Sequence, residues 1–336
     1  MLGQRPRMHR DAARQKGSAV RSAKYTGPGS AAQVVSITVI DAPRPAADEV
    51  LLRVGAAGLN PVDVKIRAAA TDFGVIRYSD RPGWDVAGVV VAVGDDVEEW
   101  AAGDRVHALA GFPRAAHTLA EYAAVAASDL ARIPRAWSTA QAGAAPLAAL
   151  TAWQALDAAG VRADAGAGQR VLVLGGSGGV GHLAIQLAVA RGASVVATAS
   201  PGKHDLVRSW GADEVVDYRD EQALAAIAPV DAVIVTVDGT LPPRGAVAPG
   251  TSVISITGLT NAQRAQLAEW GASPVEWILV HADGVQLGEI ADLADAGRVT
   301  VHLDAEFPLD ELVSAQERVE TGRATGKVVV IVDPEV

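Results

Sequence analysis

The chain has 336 residues, 49% hydrophobic and 20% charged, which indicates a globular protein too long for a single typical core. Its formal net charge of −10 argues against a nucleic-acid-binding surface, because such a surface needs clustered lysine and arginine. The absence of cysteine excludes disulfides, thiolate catalysis and cysteine-ligated metal sites, and no apolar run reaches the roughly 18 residues of a membrane span.

The first 17 residues differ from the rest of the chain. They carry five basic residues and one acidic residue, and they lack the apolar stretch of a secretory signal. We therefore interpret residues 1–17 as a disordered basic tail or as the result of an upstream start site, since Met8 could also initiate, and we assign them no function. The cytoplasm is the default expectation for the location of the protein.

Residues 18–140 are predicted to form a β-rich domain. Short β-like runs are separated there by turns that contain glycine and proline. The runs are Gln33–Ile40, Glu49–Gly55, Val86–Val93 and Arg105–Leu109. Because no long helical pattern interrupts them, the pattern predicts an all-β, barrel-like unit.

A helical pattern begins near Ser138. The sequence Ser138-Thr139-Ala140-Gln141 is typical of a helix N-cap and first turn, and Ala142–Ala159 is rich in alanine. Proline has no backbone N–H to donate inside a helix, so Pro146 predicts two helices or a break at that point.

Residues 141–282 are predicted to form a doubly wound parallel sheet, because strands and helices alternate along them. The predicted strands are Arg170–Leu174, Ser194–Ala199, Glu214–Val216, Asp231–Val235, Thr251–Ile256 and Val275–Val280. The fold class is therefore α/β with a second, β-rich domain. Residues 283–336 end in a predicted strand, Lys327–Val332, and we expect this segment to return and complete the first domain.

A glycine-rich turn follows the first strand of this sheet and precedes a helix. Gly176, Gly178 and Gly181 match the G-x-G-x-x-G spacing of dinucleotide-binding loops. Such a turn brings main-chain N–H groups at a helix N-terminus close to a diphosphate. The predicted diphosphate-binding residues are Gly176, Ser177, Gly178, Gly179, Val180 and Gly181. The alternative is a structural corner without a ligand.

The end of the second strand of the sheet bears on the choice of dinucleotide. NAD-selective sites usually place an acidic residue there, which binds the ribose hydroxyls and would repel a 2′-phosphate. Here Ser200 and Lys203 follow the strand, and no acidic residue precedes Asp205. Because a hydroxyl and an ammonium both donate to phosphate, we predict NADPH rather than NADH. Alternatively, Ser200 caps the next helix and Lys203 is a surface charge.

Several short motifs follow one another from about residue 19 onward. They are Tyr25–Gly29, Ala56–Asp63, Pro82–Val90, Gly103–Val106, Leu150–Leu156, Gly211–Tyr218 and Gly326–Val329. In this order they resemble the zinc-free branch of the medium-chain dehydrogenase/reductases, the quinone oxidoreductase-like group.

The resemblance implies a GroES-like β-barrel catalytic domain, a Rossmann domain inserted into it, an active cleft between the two, and a homodimer. It also implies cofactor-binding roles for residues outside the glycine loop, namely Thr151, Ser200, Lys203, Tyr218 and Thr257. In such a site Tyr218 would lie with Lys203 near the 2′-phosphate, and Thr257 would lie along the nicotinamide.

The chain departs from the zinc-dependent relatives in that group. Those relatives have a cysteine near Asn60–Asp63 and a Gly-His-Glu sequence where this chain has Gly83-Trp84-Asp85. Asp63, Asp85 and His107 remain as side chains able to bind a metal, but their spacing matches no metal motif. We therefore predict no metal, and no Lewis-acid assistance to the reaction.

Without a metal, the easiest reaction is hydride transfer to an electrophile that is already activated, such as a quinone or an α,β-unsaturated carbonyl. Asn60 is the candidate for orienting the substrate carbonyl or the nicotinamide ribose, although asparagine before proline is also typical of a turn. Tyr78 is either a proton donor or an exposed loop residue. Asp63 is expected to orient its neighbours, and solvent can supply the proton.

The sequence thus predicts an NADPH-dependent reductase of a small-molecule substrate, with no nucleic-acid or membrane partner. Two alternatives stay open. One is a non-catalytic NADPH-binding sensor or structural protein of the same fold. The other is a reductase dedicated to an enoyl thioester in a biosynthetic pathway.

Overall fold

The computed structural model describes residues 19–69, 75–162 and 168–336. The predicted basic tail, residues 1–17, lies outside the described residues. The strands of the described part form three sheets of two, seven and six strands.

The β-rich region contains the two-stranded and seven-stranded sheets. In the smaller sheet β1 (Ala19–Tyr25) pairs antiparallel with β2 (Val35–Asp41), and a one-turn helix, α1 (Ala31–Val34), separates them. The larger sheet comprises β3 (Glu49–Leu59), β4 (Asp85–Val93), β5 (Arg105–Leu109), β6 (Tyr122–Ala126), β7 (Leu130–Arg132), β14 (Leu303–Pro308) and β15 (Lys327–Ile331). Its order is β14-β15-β3-β4-β5-β7, and β6 also pairs with β3. The predicted β-rich domain is confirmed.

Strand β3 explains how a helix comes to lie on this sheet. Its first half alternates between buried and half-exposed residues, whereas its second half is buried throughout. Helix α3 (Thr139–Ala144) covers that second half. A Cβ atom added at Gly143 would lie 2.7 Å from the Ala56 carbonyl oxygen, so only glycine permits this close approach.

The predicted break at Pro146 separates α3 from α4 (Pro146–Ala158). Ser138 is the N-cap of α3, where its hydroxyl accepts from the Gln141 N–H at 3.1 Å and Gln141 Oε1 accepts from the Ser138 N–H at 3.0 Å. Pro146 is the first residue of α4, a position where no helical donor is needed.

The six-stranded sheet is parallel throughout and has the order β10-β9-β8-β11-β12-β13. Its strands are β8 (Arg170–Leu174), β9 (Ser194–Ala199), β10 (Glu214–Asp217), β11 (Ala232–Val235), β12 (Ser252–Ser255) and β13 (Val275–Trp277). Its helices, with those of the following segment, are α5 (Gly181–Ala190), α6 (His204–Ser209), α7 (Glu221–Ala225), α8 (Asn261–Glu269), α9 (Gly284–Asp295) and α10 (Leu312–Glu320). The predicted doubly wound sheet is confirmed, although β13 ends three residues earlier than predicted.

Helices cover both faces of this sheet, so its strands are buried on both sides. Val171 and Val173 point into one hydrophobic core, while Leu172 and Leu174 point into another. The strand order reverses between β8 and β11. In sheets of this kind, ligands bind outside the carboxyl ends of the strands at that reversal.

The segment after α9 returns to the β-rich region. Strand β15 pairs antiparallel with the second half of β3, with Val328 opposite Leu59. The end of β3 and the start of β15 are therefore neighbours, and both lie close to the start of α2 (Pro61–Ala69). This junction positions the buried part of the candidate site.

Candidate active site

The glycine loop lies at the strand reversal, between β8 and α5. A Cβ atom at Gly181 would lie 2.1 Å from the Gly175 carbonyl oxygen, and one at Gly176 would lie 2.9 Å from the Ala197 Cβ. Both positions therefore need glycine so that the loop can pack on itself and on β9. Gly178 differs, since its added Cβ would meet only the Gly175 oxygen at 3.4 Å. The fold thus tolerates a side chain at Gly178.

The loop also offers unused backbone donors. In the part of the chain that the structure describes, the amide N–H groups of Ser177, Gly179 and Val180 have no acceptor. They lie just before the N-terminus of α5, where the helix dipole favours negative charge. This donor set fits the diphosphate of a dinucleotide.

His182 holds the loop from the helix side. Its Nδ1 lies 3.0 Å from the Gly178 carbonyl oxygen, and its Nε2 lies 3.3 Å from the His302 backbone nitrogen, which donates to it. Nδ1 therefore carries the proton. Burial lowers the pKa of His182 to about 4, so this imidazole is neutral and structural.

The residues predicted to recognise the 2′-phosphate come together at the ends of β9 and β10. Asp217 is the register partner of Ala199, which places the next residues, Tyr218 and Ser200, side by side. Ser200 occupies the N-cap position of the short 3-10 helix Pro201–Lys203, but its hydroxyl makes no capping hydrogen bond there. Tyr218 is 56% exposed, and the half-buried Lys203 is the last residue of the 3-10 turn Pro201–Lys203 that follows β9. Together they present a hydroxyl, a phenol and an ammonium.

Sequence reasoning missed Arg219 beside this group. Its guanidinium lies 5.4 Å from the Tyr218 ring centre and binds both Asp217 carboxylate oxygens at 3.1 and 3.2 Å. It adds a second cation to the strand ends. Its only signal in the sequence was its position directly after Tyr218.

Two further cofactor candidates lie on elements that face the reversal. Thr151 is buried in α4, where its hydroxyl donates to the Leu147 carbonyl oxygen at 2.6 Å. Thr257 follows β12, and its N–H donates to the Ser255 hydroxyl at 3.3 Å.

Asn60 and Asp63 belong to a buried polar cluster, here called the Asn60 cluster, which also contains Asp85 and Lys327. All four are at most 3% exposed. The Asn60 Nδ2 donates to Asp85 Oδ2 at 2.8 Å, and its backbone N–H donates to Asp63 Oδ2 at 2.9 Å. The Lys327 ammonium contacts Asn60 Oδ1 and lies 3.5 Å from Asp85 Oδ2. The predicted orienting role of Asp63 thus has a geometric basis.

The cluster holds two carboxyl groups and one ammonium. Burial raises the pKa of Asp63 to about 7 and raises the pKa of Asp85, although Lys327 partly opposes both shifts. Burial in turn lowers the pKa of Lys327. The cluster therefore contains one ammonium, that of Lys327, and two carboxyl groups. Of these, Asp63 loses its proton only near neutral pH.

Asp85 also ties the cluster to the parallel-sheet domain. Its Oδ1 accepts from the Leu147 N–H at 2.6 Å, in the first turn of α4. Sequence reasoning singled out neither Asp85 nor Lys327 for this role. Both occur in motifs of the resemblance, but their partnership joins residues far apart in the chain.

Tyr78 belongs to a loop close to the cluster. It is half-buried and packs against the main hydrophobic core. Burial and the nearby Asp80 raise the pKa of its phenol. The next residue, Ser79, lines a small cavity of about 10 Å³ together with Tyr25 and Asp63. The loop that carries Tyr78 therefore lies over Asp63.

The described residues contain no group of three or more histidine, aspartate or glutamate side chains arranged to hold a metal. Trp84 packs in the core, and its indole N–H donates to the Arg114 carbonyl oxygen at 2.7 Å. His107 is buried with Nδ1 3.2 Å from the Ala142 carbonyl oxygen.

A larger cavity lies elsewhere. It measures about 590 Å³ and lies between α4, α5 and α9, lined by residues such as Trp153, Arg191 and Glu289. None of the predicted site residues lines it. Convergent backbone donors and buried ionisable groups locate the candidate site at the strand reversal instead.

Comparison with known proteins agrees with this geometry. Residues 46–135 match the alcohol dehydrogenase GroES-like domain, and residues 210–330 match the zinc-binding dehydrogenase family. A 2-methylene-furan-3-one reductase from Solanum lycopersicum is 36% identical over 328 residues, covering 93% of this chain and 79% of the relative. The chain belongs to the quinone oxidoreductase-like medium-chain dehydrogenase/reductases.

Other relatives of this quinone oxidoreductase-like protein include the NADPH-dependent alkenal/one oxidoreductase of Arabidopsis thaliana. It is 37% identical over 293 residues, covering 84% of this chain and 72% of the relative. The solved quinone oxidoreductase from Coxiella burnetii superposes with a TM-score of 0.80 at 30% identity, over 94% of this chain and 100% of that one. The protein is therefore an oxidoreductase of the nicotinamide-dependent type.

Proposed function

We propose that the protein is an NADPH-dependent, zinc-independent reductase of quinones or α,β-unsaturated carbonyl compounds. The observation that carries the proposal is the pairing of two half-sites. The glycine loop offers free amide donors for a diphosphate, and the neighbouring strand end offers Ser200, Lys203 and Tyr218 where an NAD-selective site would place a carboxylate. The names of the relatives, which include an enone reductase and a quinone oxidoreductase, support the same substrate class.

The cofactor would be held at its diphosphate and at its 2′-phosphate. The N–H groups of Ser177, Gly179 and Val180 would bind the diphosphate, while Lys203 and Ser200 would donate to the 2′-phosphate. Thr151 and Thr257 would lie nearer the nicotinamide. NADPH, when bound, supplies the hydride.

Zinc independence is part of the proposal. The chain has no cysteine, and Trp84 stands where a zinc-dependent relative has histidine. An acceptor conjugated to a carbonyl spreads the incoming negative charge onto its own oxygen, so hydrogen-bond donors suffice to stabilise it.

Asn60 is the proposed donor to that oxygen. Its Nδ2 group gives one hydrogen to Asp85, which leaves a second hydrogen for the substrate. Asp63 holds the backbone of Asn60 through its N–H, and Tyr78 or solvent would supply the proton.

Consumption of NADPH tests the proposal directly. The purified protein should oxidise NADPH in the presence of 9,10-phenanthrenequinone or of members of a panel of enones, and NADH should serve less well. Tight NADPH binding without turnover on any acceptor would favour the sensor alternative. Turnover confined to enoyl thioesters would favour the biosynthetic one.

A glycine pair provides the matched control for cofactor binding. The variant Gly178→Ala adds a methyl group that the fold accommodates, but it crowds the space for the diphosphate. Gly288→Ala adds the same methyl group in α9, where no atom lies within 4 Å. We expect weaker NADPH binding for the first variant alone, measured by calorimetry.

The described residues include no helix long and apolar enough to cross a membrane. Homodimer formation and a cytoplasmic location stay predictions. Size-exclusion chromatography with light scattering tests the former, and fractionation of the source cells tests the latter.

A further inference from the structure

Lys327 is a buried lysine with no role in the proposed chemistry so far. It is the first residue of β15 and is 3% exposed. Its ammonium donates to the Leu59 carbonyl oxygen at 3.2 Å and to Asn60 Oδ1, and it lies 3.5 Å from Asp85 Oδ2. All three hydrogens of the ammonium therefore have an acceptor inside the protein.

These contacts fix which way the Asn60 side-chain amide faces. An ammonium can only donate, so the amide oxygen must face Lys327 and the amide nitrogen must face Asp85. A flipped amide would bring two donors together at Lys327 and two acceptors together at Asp85. The direction of the remaining Nδ2 hydrogen is thus set by Lys327 and Asp85 jointly.

The same segment contacts the glycine loop. The Gly326 N–H donates to the Ser177 carbonyl oxygen at 3.0 Å. A Cβ atom at Gly179 would lie 3.3 Å from the Lys327 Cδ, so the lysine stem lies against the loop. Residues 326 and 327 therefore connect the diphosphate-binding backbone to the Asn60 amide.

We propose that Lys327 is a positioning residue for the reduction, which holds the Asn60 amide in one orientation and at a fixed distance from the glycine loop. The proposal rests on the proposed function and deepens it. It assigns Lys327 no contact with the substrate.

A simpler role must be separated from this one, namely neutralisation of the two buried carboxyl groups. If charge balance alone matters, removing one carboxylate together with the ammonium restores it. The double variant Lys327→Met with Asp85→Asn keeps the volume of the site and removes both charges. It also keeps the proposal testable if Lys327→Met alone fails to fold.

The first experiment measures steady-state and binding constants of Lys327→Met and of the double variant. We expect kcat to fall on the order of 100-fold in both, as for a reacting group displaced by about 1 Å, with NADPH affinity changed much less. Lys24→Ala is the control, because Lys24 pairs with Asp80 on the surface. Full kcat in the double variant would overturn positioning in favour of charge balance.

The second experiment is chemical rescue of Lys327→Ala. Short primary alkylammonium ions, such as ethylammonium, should restore kcat with saturation, because they replace both the charge and the donors. Tetramethylammonium carries the charge without an N–H group and should not. Equal rescue by both ions, or by neither, would overturn the proposal.

The third experiment needs no turnover, so it separates this proposal from the proposed function. In ¹⁵N-labelled protein without cofactor, the two Asn60 Nδ2 protons should give distinct, slowly exchanging signals, assigned by their loss in Asn60→Asp. In Lys327→Met these signals should exchange faster. Unchanged signals would contradict positioning even if the enzyme reduces quinones, and changed signals would support it even if no acceptor is found.

Discussion

The glycine loop and the Asn60 cluster are the two halves of the proposed site, and they are built in opposite ways. The loop would bind its ligand with the free main-chain amides of Ser177, Gly179 and Val180, and Gly176 and Gly181 are needed there because side chains would not fit. The cluster uses side chains that come from the β3–α2 junction, α2, β4 and β15 and meet only when the seven-stranded sheet closes. A loop of the first kind can be recognised in a sequence, whereas a cluster of the second kind becomes visible only in the fold.

The two halves should also fail differently when they are mutated. A change in the exposed cofactor-binding groups should alter affinity and leave stability intact. A change in the Asn60 cluster should alter stability as well, because its charges are buried.

The largest effect is expected for Asp85→Ala. This variant leaves the Lys327 ammonium and the Leu147 N–H without their carboxylate, and breaking a buried pair in this way costs about 3–5 kcal/mol. Urea denaturation should show that loss in the free energy of unfolding. Asp85→Asn, which retains an acceptor, should lose less. A loss under 1 kcal/mol in Asp85→Ala would mean that the cluster is not closed in solution.

The second-largest expected effect is a pH dependence of the free energy of unfolding, caused by Asp63 in the Asn60 cluster. Folded Asp63 keeps its proton up to about pH 7, whereas the unfolded carboxyl releases it near pH 4. Unfolding between these values therefore releases a proton, so this group makes the free energy of unfolding fall as pH rises, by up to about 1.4 kcal/mol per pH unit. Above pH 7 its contribution stays at the lower level.

Denaturation of the wild type and of Asp63→Asn at pH 5, 6, 7 and 8 checks this sign. The wild type should lose stability relative to the variant between pH 5 and 7, and the difference should level off by pH 8. A difference that does not change with pH would show that Asp63 ionises in its ordinary range.

A smaller and purely functional effect is expected for Lys203→Ala. Loss of a charge-assisted contact to the 2′-phosphate should weaken NADPH binding by about 1.5–3 kcal/mol and leave NADH binding almost unchanged. Fluorescence titration with both cofactors measures the two losses. Equal losses would remove Lys203 from the phosphate site.

The smallest effect concerns an ion pair between the two domains. Lys65 in α2 and Asp238 after β11 form an ion pair of 2.8 Å between the two domains. Both side chains are substantially exposed, so the pair contributes about 0.2–1 kcal/mol. Lys65→Gln should therefore speed NADPH release by a few fold in stopped flow, and 0.5 M salt should abolish the difference. The Lys24–Asp80 pair, within one domain, provides the control.

The parallel sheet was predictable almost strand by strand, because each strand is a short apolar run followed by a turn. The β-rich domain was harder. Strand β6 is Tyr122-Ala123-Ala124-Val125-Ala126, mostly alanine, and β7 has three residues, so neither has a strong pattern of its own. Their pairing partners, not their local propensities, make them strands. Because helix α1 extends to Val34, strand β2 begins at Val35, two residues after the predicted start of the strand.

The residues of the candidate site also fall into two groups, those with a local sequence pattern and those without one. Gly176, Gly178 and Gly181 were predictable from spacing, and the structure explains Gly176 and Gly181 by their packing. Asn60 was predictable only as an isolated asparagine before proline. Its partner Lys327 is separated from it by 267 residues, and no local pattern records such a pairing.

The return of β15 to the centre of the first sheet also determines when that sheet can close during synthesis. Leu59 and Lys327, which touch across β3 and β15, are 268 residues apart in the chain. A ribosome adding about 5–20 residues per second completes the whole parallel-sheet domain before β15 emerges. Until then the second half of β3 has one hydrogen-bonding edge without its partner and is a template for wrong pairing. The domain that leaves the ribosome first is thus the last to finish folding.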